Sequence, residues 1–269
     1  NRLMRSGTPR GLAFDAVFIP LGAAAMGGAE RSVAYLAAGT QNKGKRVLML
    51  AERALQATHY PEFLEQQGLD VQWVDWAPER SLWQNIAAAF KTFRRLDAGL
   101  IQFNMSWRRG MWVVPLVARL LTRAKLVGSM RGMPDPHTDV PRGRYLGFIP
   151  GLRLWHLREL IAGWLWGRLL DVTVSVNERD FPPRLISHYG YPRERMRVIH
   201  NGVLFRESLP AGEARNRLRA QAFKRIGEDP ALRDRLAQAA RARAAARYRM
   251  ESVVARYHEV YRQVAPGLV

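Results

Sequence analysis

The chain has 269 residues, 48% of them hydrophobic, with 42 Lys and Arg against 23 Asp and Glu, a net charge of +19 and no cysteine. That apolar content excludes a wholly disordered chain, and the lack of cysteine excludes disulfide staples and thiolate metal or nucleophile chemistry. The excess positive charge calls for anionic partners, for which nucleic acid, anionic lipid and phosphorylated substrates all qualify. The length gives room for one large or two small domains. No apolar stretch of signal-peptide type follows the basic Asn1–Arg5, so no secretory signal is read there.

In chain order, Ala13–Pro20 reads as a buried strand and Glu30–Gly39 as a helix with Val33, Leu36 and Ala37 on one face. Arg46–Leu50 is a second strand, and Pro61–Gln67 a short helix ended by Gly68. Val71–Val74 is the third strand. Ser81 caps a helix running to Leu96, with Leu82, Ile86, Ala89, Phe90 and Phe93 at helical spacing. Strand Leu100–Phe103, helix Met111–Leu121 and strand Lys125–Met130 follow, then strands Asp171–Val176 and Met196–Ile199. Beyond Glu213 the chain is helical and rich in Ala and Arg. One helix starts at Glu228-Asp229-Pro230, and another runs Tyr248–Val264 with Val253, Val254, Tyr257, Val260, Tyr261 and Val264 at helical spacing.

Apolar strands alternating with helices predict an α/β fold whose parallel sheet is covered on both faces. Ligands of such sheets gather at the carboxyl ends of the strands, where Gly27-Gly28, Asn104, Arg131 and Asn201-Gly202 all fall. Paired glycines between a strand and a helix let backbone N–H groups approach a phosphate, and the helix start adds its positive dipole end. A tight turn that only packs the helix would use the same residues. Glu30 in the first turn is favoured by the dipole alone, and Arg31 suits a phosphate or a neighbouring carboxylate. The loop Asn104-Met105-Ser106-Trp107-Arg108-Arg109 joins amide, hydroxyl, aromatic and guanidinium groups, as a sugar or pyrophosphate acceptor site would, or as a solvated basic loop would. No metal-ligand spacing is present. The spacing of Gly22 and Gly27-Gly28 does not match the dinucleotide fingerprint, and no acidic residue clearly ends the second strand, which argues against a Rossmann dehydrogenase.

Gly27-Gly28-Ala29-Glu30-Arg31, the strand Asp171–Ser175 and the stretch from Tyr191-Pro192 through Arg197–Val203 resemble, in order and spacing, the retaining GT-B glycosyltransferases of family 4. The resemblance runs from about Ala13 to Arg219 and resumes near Phe223. It implies an N-terminal Rossmann-like acceptor domain over residues 1–204 and an interdomain segment and start of a second domain over 205–221. Residues 222–269 would be C-terminal helices left from that second domain, the last crossing back onto the first. The resemblance implies a UDP- or GDP-sugar donor, no bound cofactor and no metal. Gly27, Gly28, Asn201 and Gly202 are then candidates for donor or phosphate binding, although Asn201-Gly202 also suits a hinge turn, beside which His200 is packed. Glu30, Arg31, Asn104 and Arg108 are candidates for acceptor binding. Arg131 stands where the family often has a histidine; it cannot serve as a base at neutral pH but suits stabilisation of an oxyanion. His137, in the loop beyond, is the alternative. Most of the second domain, about 100–150 residues in this family, has no counterpart between Gln221 and Ala222. Either it is deleted or two stretches are joined there; the latter is expected, with a Cα spacing across 219–224 well above about 3.8 Å, because the tail helices would otherwise have little to pack on.

Tyr145–Leu170 holds Trp155, Trp164 and Trp166 among aliphatic residues and arginines, with no uncharged run near the ~20 residues of a membrane span. On a helix, Leu154, Leu157, Ile161, Trp164 and Leu165 share one face and Trp155 and Trp166 another, a pattern that suits an anionic membrane interface or packing against a partner. The expected function is therefore transfer of a sugar to a lipid-linked or saccharide acceptor of the cell envelope, by a cytoplasmic protein peripheral to the inner membrane face. The alternatives are a non-catalytic membrane or scaffold module and, from charge alone, a nucleic-acid binder, for which no recognition motif is present.

Overall fold

Seven strands form one all-parallel sheet in the order β3-β2-β1-β4-β5-β6-β7. The computed structural model describes residues 13–23, 25–105, 111–130, 154–178, 181–202 and 230–267. The elements are β1 (Phe14–Pro20), α1 (Gly28–Gln41), β2 (Val47–Glu52), α2 (Tyr60–Gln66), β3 (Val71–Val74), α3 (Leu82–Phe93), β4 (Ala98–Met105), α4 (Val113–Leu121) and β5 (Lys125–Met130). They continue with α5 (Leu154–Leu169), β6 (Val172–Ser175), α6 (Phe181–Tyr189), β7 (Met196–Val198), α7 (Pro230–Tyr248) and α8 (Met250–Val264). This is the doubly wound α/β sheet the sequence predicts. Residues 219–224, where a chain break is expected, lie outside the described residues, as do Ser106–Arg109, Arg131 and His137.

The strand order dictates the layers. Right-handed crossovers from β1 outward to β3 put α1 and α2 on one face, and those from β3 back through β4 to β7 put α3 to α6 on the other. The buried side chains divide accordingly. Phe18, Met49, Leu100 and Val127 belong to the core cluster on the face that carries α1 and α2. Ile19, Leu50, Ile101 and Leu126 pack with α3 to α6. This winding leaves the first face bare over β4 to β7. Helix α8 fills the gap, burying Val253, Val254, Tyr257, Val260 and Tyr261 against the same cluster. The last helix of the tail therefore has a surface to pack on within this chain. The missing cover is a consequence of topology, which no local pattern in the tail reveals.

Glycines and hydroxyls fit α8 to its seat. A Cβ on Gly39 of α1 would lie 2.6 Å from Val254 Cγ2, so the missing side chain is what admits Val254. Tyr257 and Ser129 share a hydroxyl hydrogen bond of 2.9 Å, and Tyr261 Oη donates to Gln102 Oε1 at 3.2 Å. Thr40 Oγ1 donates to Leu36 O at 2.8 Å, which leaves it an acceptor for the Nε2–H of His258 at 3.1 Å.

His258 is 1% exposed. Burial, reinforced by the positive charges of Lys43, Lys45 and Arg262, lowers its pKa from 6.5 to about 4. The folded chain thus holds His258 neutral while the unfolded chain protonates it below pH 6.5. Stability is expected to fall as pH drops from 6.5 towards 4, by up to about 3 kcal/mol from this group. Urea titrations of the native chain and His258→Gln across that window check it. The variant should lose stability less steeply on acidification, and identical slopes would remove the effect.

Two helices depart from their sequence readings. In α3 the buried stripe is Asn85, Ala89 and Phe93, while Leu82 and Phe90 are exposed. The cause is Asn85, whose amide accepts from Ala77 N and donates to Ala77 O, each at 2.9 Å, tying the β3–α3 loop and drawing that side inward. Ser81 caps α3 as predicted, its Oγ accepting from Gln84 N while Gln84 Oε1 accepts from Ser81 N. In α5 Trp166 is buried against the sheet, not part of a free aromatic face. Gly163 and Gly167 give room to Tyr189 and Tyr191, whose rings would meet a Cβ at 2.2 and 3.0 Å.

Candidate functional site

Strands β1 and β4 are neighbours, but their following connections leave on opposite faces of the sheet. That divergence opens a crevice at their carboxyl ends, the place where such folds take ligands. Pro20 pairs with Asn104 in register, and Leu21 N donates to Asn104 O at 3.0 Å. The structure so places Asn104, near the end of β4, beside the end of β1, the strand edge from which the chain runs to the Gly27-Gly28 turn that opens α1.

The start of α1 leaves backbone donors without a side-chain partner. Its N-cap is Gly27, which has no side chain to bond the first-turn amides, and Arg31 N makes the first intrahelical bond, to Gly27 O at 3.2 Å. The N–H groups of Gly28, Ala29 and Glu30 are therefore left for solvent or ligand. Among the described residues a Cβ on Gly28 would meet nothing within 4 Å. Glu30 turns back on its own helix, its Oε2 accepting from Gly27 N at 2.8 Å. That is a capping interaction, and it places the carboxylate on the turn rather than across the crevice. Arg31 is exposed in the first turn. Asn104 is 4% exposed, and its Oδ1 has no hydrogen-bond partner among the described residues. A buried amide oxygen without a partner costs about 1–3 kcal/mol, which a ligand donor at this place would recover.

Glu52 is the residue the sequence reading missed. Strand β2 runs two residues past Leu50 and ends on this carboxylate, 1% exposed, which accepts from Gly22 N. An acidic residue does end the second strand. It holds Gly22, whose φ of 74° only glycine adopts without strain, and so fixes the turn between β1 and α1. The signal was present as a charge directly after an apolar run. Glu52→Ala is expected to cost about 1–3 kcal/mol by stranding the buried Gly22 N–H, and Glu52→Gln, which keeps an acceptor oxygen, much less. Urea denaturation of both variants measures it; equal stability of Glu52→Ala and the native chain would remove this role.

Asn201 and Gly202 are not brought here. They follow β7, four strand spacings or about 19 Å from β1 along the same edge. Gly202 lies against α8, where a Cβ would be 2.9 Å from Met250 Cε and 3.1 Å from Val253 Cγ2. Its lack of a side chain serves that contact. His200 is half-buried, with Nδ1 3.1 Å from Val176 O. Arg108 and Arg131 lie outside the described residues. Among the described residues no group of His, Cys, Asp and Glu has the geometry to hold a metal ion.

No curated protein sequence matches the chain. Among solved structures, it is similar to the spinosyn forosaminyltransferase SpnP, at 11% identity and a TM-score of 0.42 over 76% of this chain and 54% of that one. It is likewise similar to a putative UDP-N-acetylglucosamine 2-epimerase from Listeria monocytogenes, at 12% identity and a TM-score of 0.44 over 76% of this chain and 52% of that one. The chain thus spans about half the length of these structures. Residues 26–204, well over half of the chain, match the family model Glyco_transf_4, so the chain belongs to Glycosyltransferase Family 4.

Proposed function

We propose that this chain is the acceptor-binding part of a GT-B-type retaining glycosyltransferase that moves a sugar from a UDP- or GDP-sugar to a lipid-linked or saccharide acceptor in cell-envelope synthesis. The observation that carries the reading is the start of α1, whose glycine N-cap leaves the amides of Gly28, Ala29 and Glu30 without a side-chain partner, at the same strand edge as buried Asn104, in a chain of a glycosyltransferase family. In sugar transfer the bond from the anomeric carbon to the nucleoside diphosphate breaks and one forms to an acceptor hydroxyl. Negative charge grows on the departing phosphate, and fixed donors aimed at that oxygen lower the barrier. The α1 amides and dipole suit that phosphate, or the phosphate of a lipid-linked acceptor. Arg31, Arg108 and Arg131 are the proposed side-chain cations, and Asn104 the proposed amide partner of the acceptor. The donor's base and sugar would be held by a second domain following about residue 204. The reading places the protein in the cytoplasm, peripheral on the inner membrane face; among the described residues no helix is long and apolar enough to cross a membrane.

The test is a panel of UDP- and GDP-sugars given to the full-length protein with lipid-linked and saccharide acceptors. Release of nucleoside diphosphate together with a glycosylated product of unchanged anomeric configuration is the expected result. An inverted product would overturn the retaining mechanism, and no turnover with any pairing would overturn the enzymatic reading.

A further inference from the structure

We infer that the outer surface of α3, α4 and α5 is a docking surface for an anionic lipid bilayer. This deepens the peripheral-membrane part of the proposed function, and it moves the contact from the Trp155 and Trp166 face to another set of residues. The three helices form consecutive neighbours in one layer on one face of the sheet. Each turns large apolar side chains outward. On α3 these are Trp83, 77% exposed, and Phe90, 48% exposed, at i and i+7. On α4 Leu120 is 72% exposed, and on α5 Ile161 is 55% exposed with Trp164 one turn on. Isolated exposed apolar residues are ordinary, whereas five carried by three adjacent helices concentrate exposed apolar surface on this layer.

Charge identifies the partner. Over α3, α4 and the segment between them, Ser81 to Pro134, the only acidic residue is Asp97, and α5 adds Glu159 against Arg158 and Arg168, whereas Glu30, Glu62, Glu65, Glu251 and Glu259 all belong to the helices of the opposite layer. Arg94 and Arg95 end α3 and Arg123 follows α4; all three are exposed, and none pairs with a carboxylate among the described residues. Arg168 lies over the Trp164 ring at 4.9 Å, joining a cation to the apolar patch. By contrast Arg119, at the inner side of α4, is consumed by Asp171 and Leu169 O. Trp, Phe, Leu and Ile among unpaired arginines form the composition of a helix lying in a lipid interface, apolar groups among the acyl chains and cations at anionic headgroups. Aliphatic Leu120 and Ile161 offer nothing for a nucleic-acid base to stack on, which sets lipid above nucleic acid as the partner.

The full chain is sedimented with phosphatidylcholine vesicles with and without phosphatidylglycerol, at low salt and without any nucleotide sugar, so the result does not depend on sugar transfer. Binding is expected only with phosphatidylglycerol, accompanied by a blue shift of tryptophan emission. The double variant Trp83→Glu/Leu120→Glu should bind at least about tenfold more weakly, while Gln66→Glu on the opposite layer should bind as the native chain does. All three sites are exposed, and circular dichroism of each variant checks that the fold is kept. Failure to bind phosphatidylglycerol vesicles would overturn the inference. So would equal weakening by Gln66→Glu, undiminished binding of the double variant, or binding to RNA alone.

Discussion

A chain ended after Tyr248, lacking α8, is expected not to fold. The helix buries Met250, Val253, Val254, Tyr257, Val260 and Tyr261, and at about 1.5–3 kcal/mol for a fully buried large apolar side chain their combined contribution is on the order of 10 kcal/mol. That equals the whole stability of a typical domain, about 5–15 kcal/mol. The loss would not stop at the helix, because α8 shares one core cluster with Leu100, Val127, Val172 and Val174 on the α1 side of the sheet. Gln102 and Ser129 would lose Tyr261 and Tyr257, their hydroxyl partners. The measurement is a thermal melt by circular dichroism, with light scattering for aggregation. The truncated chain should give no cooperative transition; one within a few degrees of the full chain would show that α8 is an ornament on an independently stable sheet.

What the sequence disclosed about this fold follows the range of the forces involved. Strands β3 and β5 are read to the residue, because turn residues bound them and their apolar runs are short and complete. The capping box of α3 is likewise local, spanning Ser81 to Gln84. The inner stripe of α3 was misread because a polar Asn85 is buried by hydrogen bonds to a loop that precedes the helix, and hydrophobic spacing takes no account of those. Helix α5 carries apolar residues on every side, so its sequence does not tell which tryptophan faces the sheet. Helix α6 has no bounds in the sequence pattern, where Pro182 and Pro183 interrupt it, yet prolines in a first turn remove only amides that have no partner there. The site divides along the same line. The glycine pair and Asn104 announce themselves by following strands, and the register of β1 with β4 then joins them. Glu52 acts on Gly22 from 30 residues away, and Asn201-Gly202 share the edge but at its far end; only the strand order reveals either fact.

Gly28→Asp is expected to lower kcat/KM for sugar transfer by at least about a hundredfold without lowering the melting temperature. At the first helical position a carboxylate is favoured by the dipole, by about 0.3–1 kcal/mol, and the open space around Gly28 accommodates the side chain. Stability should therefore hold or rise slightly. The same carboxylate stands before the amides of Ala29 and Glu30 and repels the phosphate proposed to bind there; about 2.7 kcal/mol of lost interaction is a hundredfold. Gly28→Ala, which adds only a methyl group, separates charge from bulk and should change kcat/KM far less. The division between constants then locates the phosphate. If the amides grip it equally before and during transfer, KM rises while kcat holds; if they act on charge that develops as the glycosidic bond breaks, kcat falls. A variant that melts normally and transfers sugar at the native rate would place the phosphate elsewhere along the edge, and the start of α1 would be left with packing as its whole purpose.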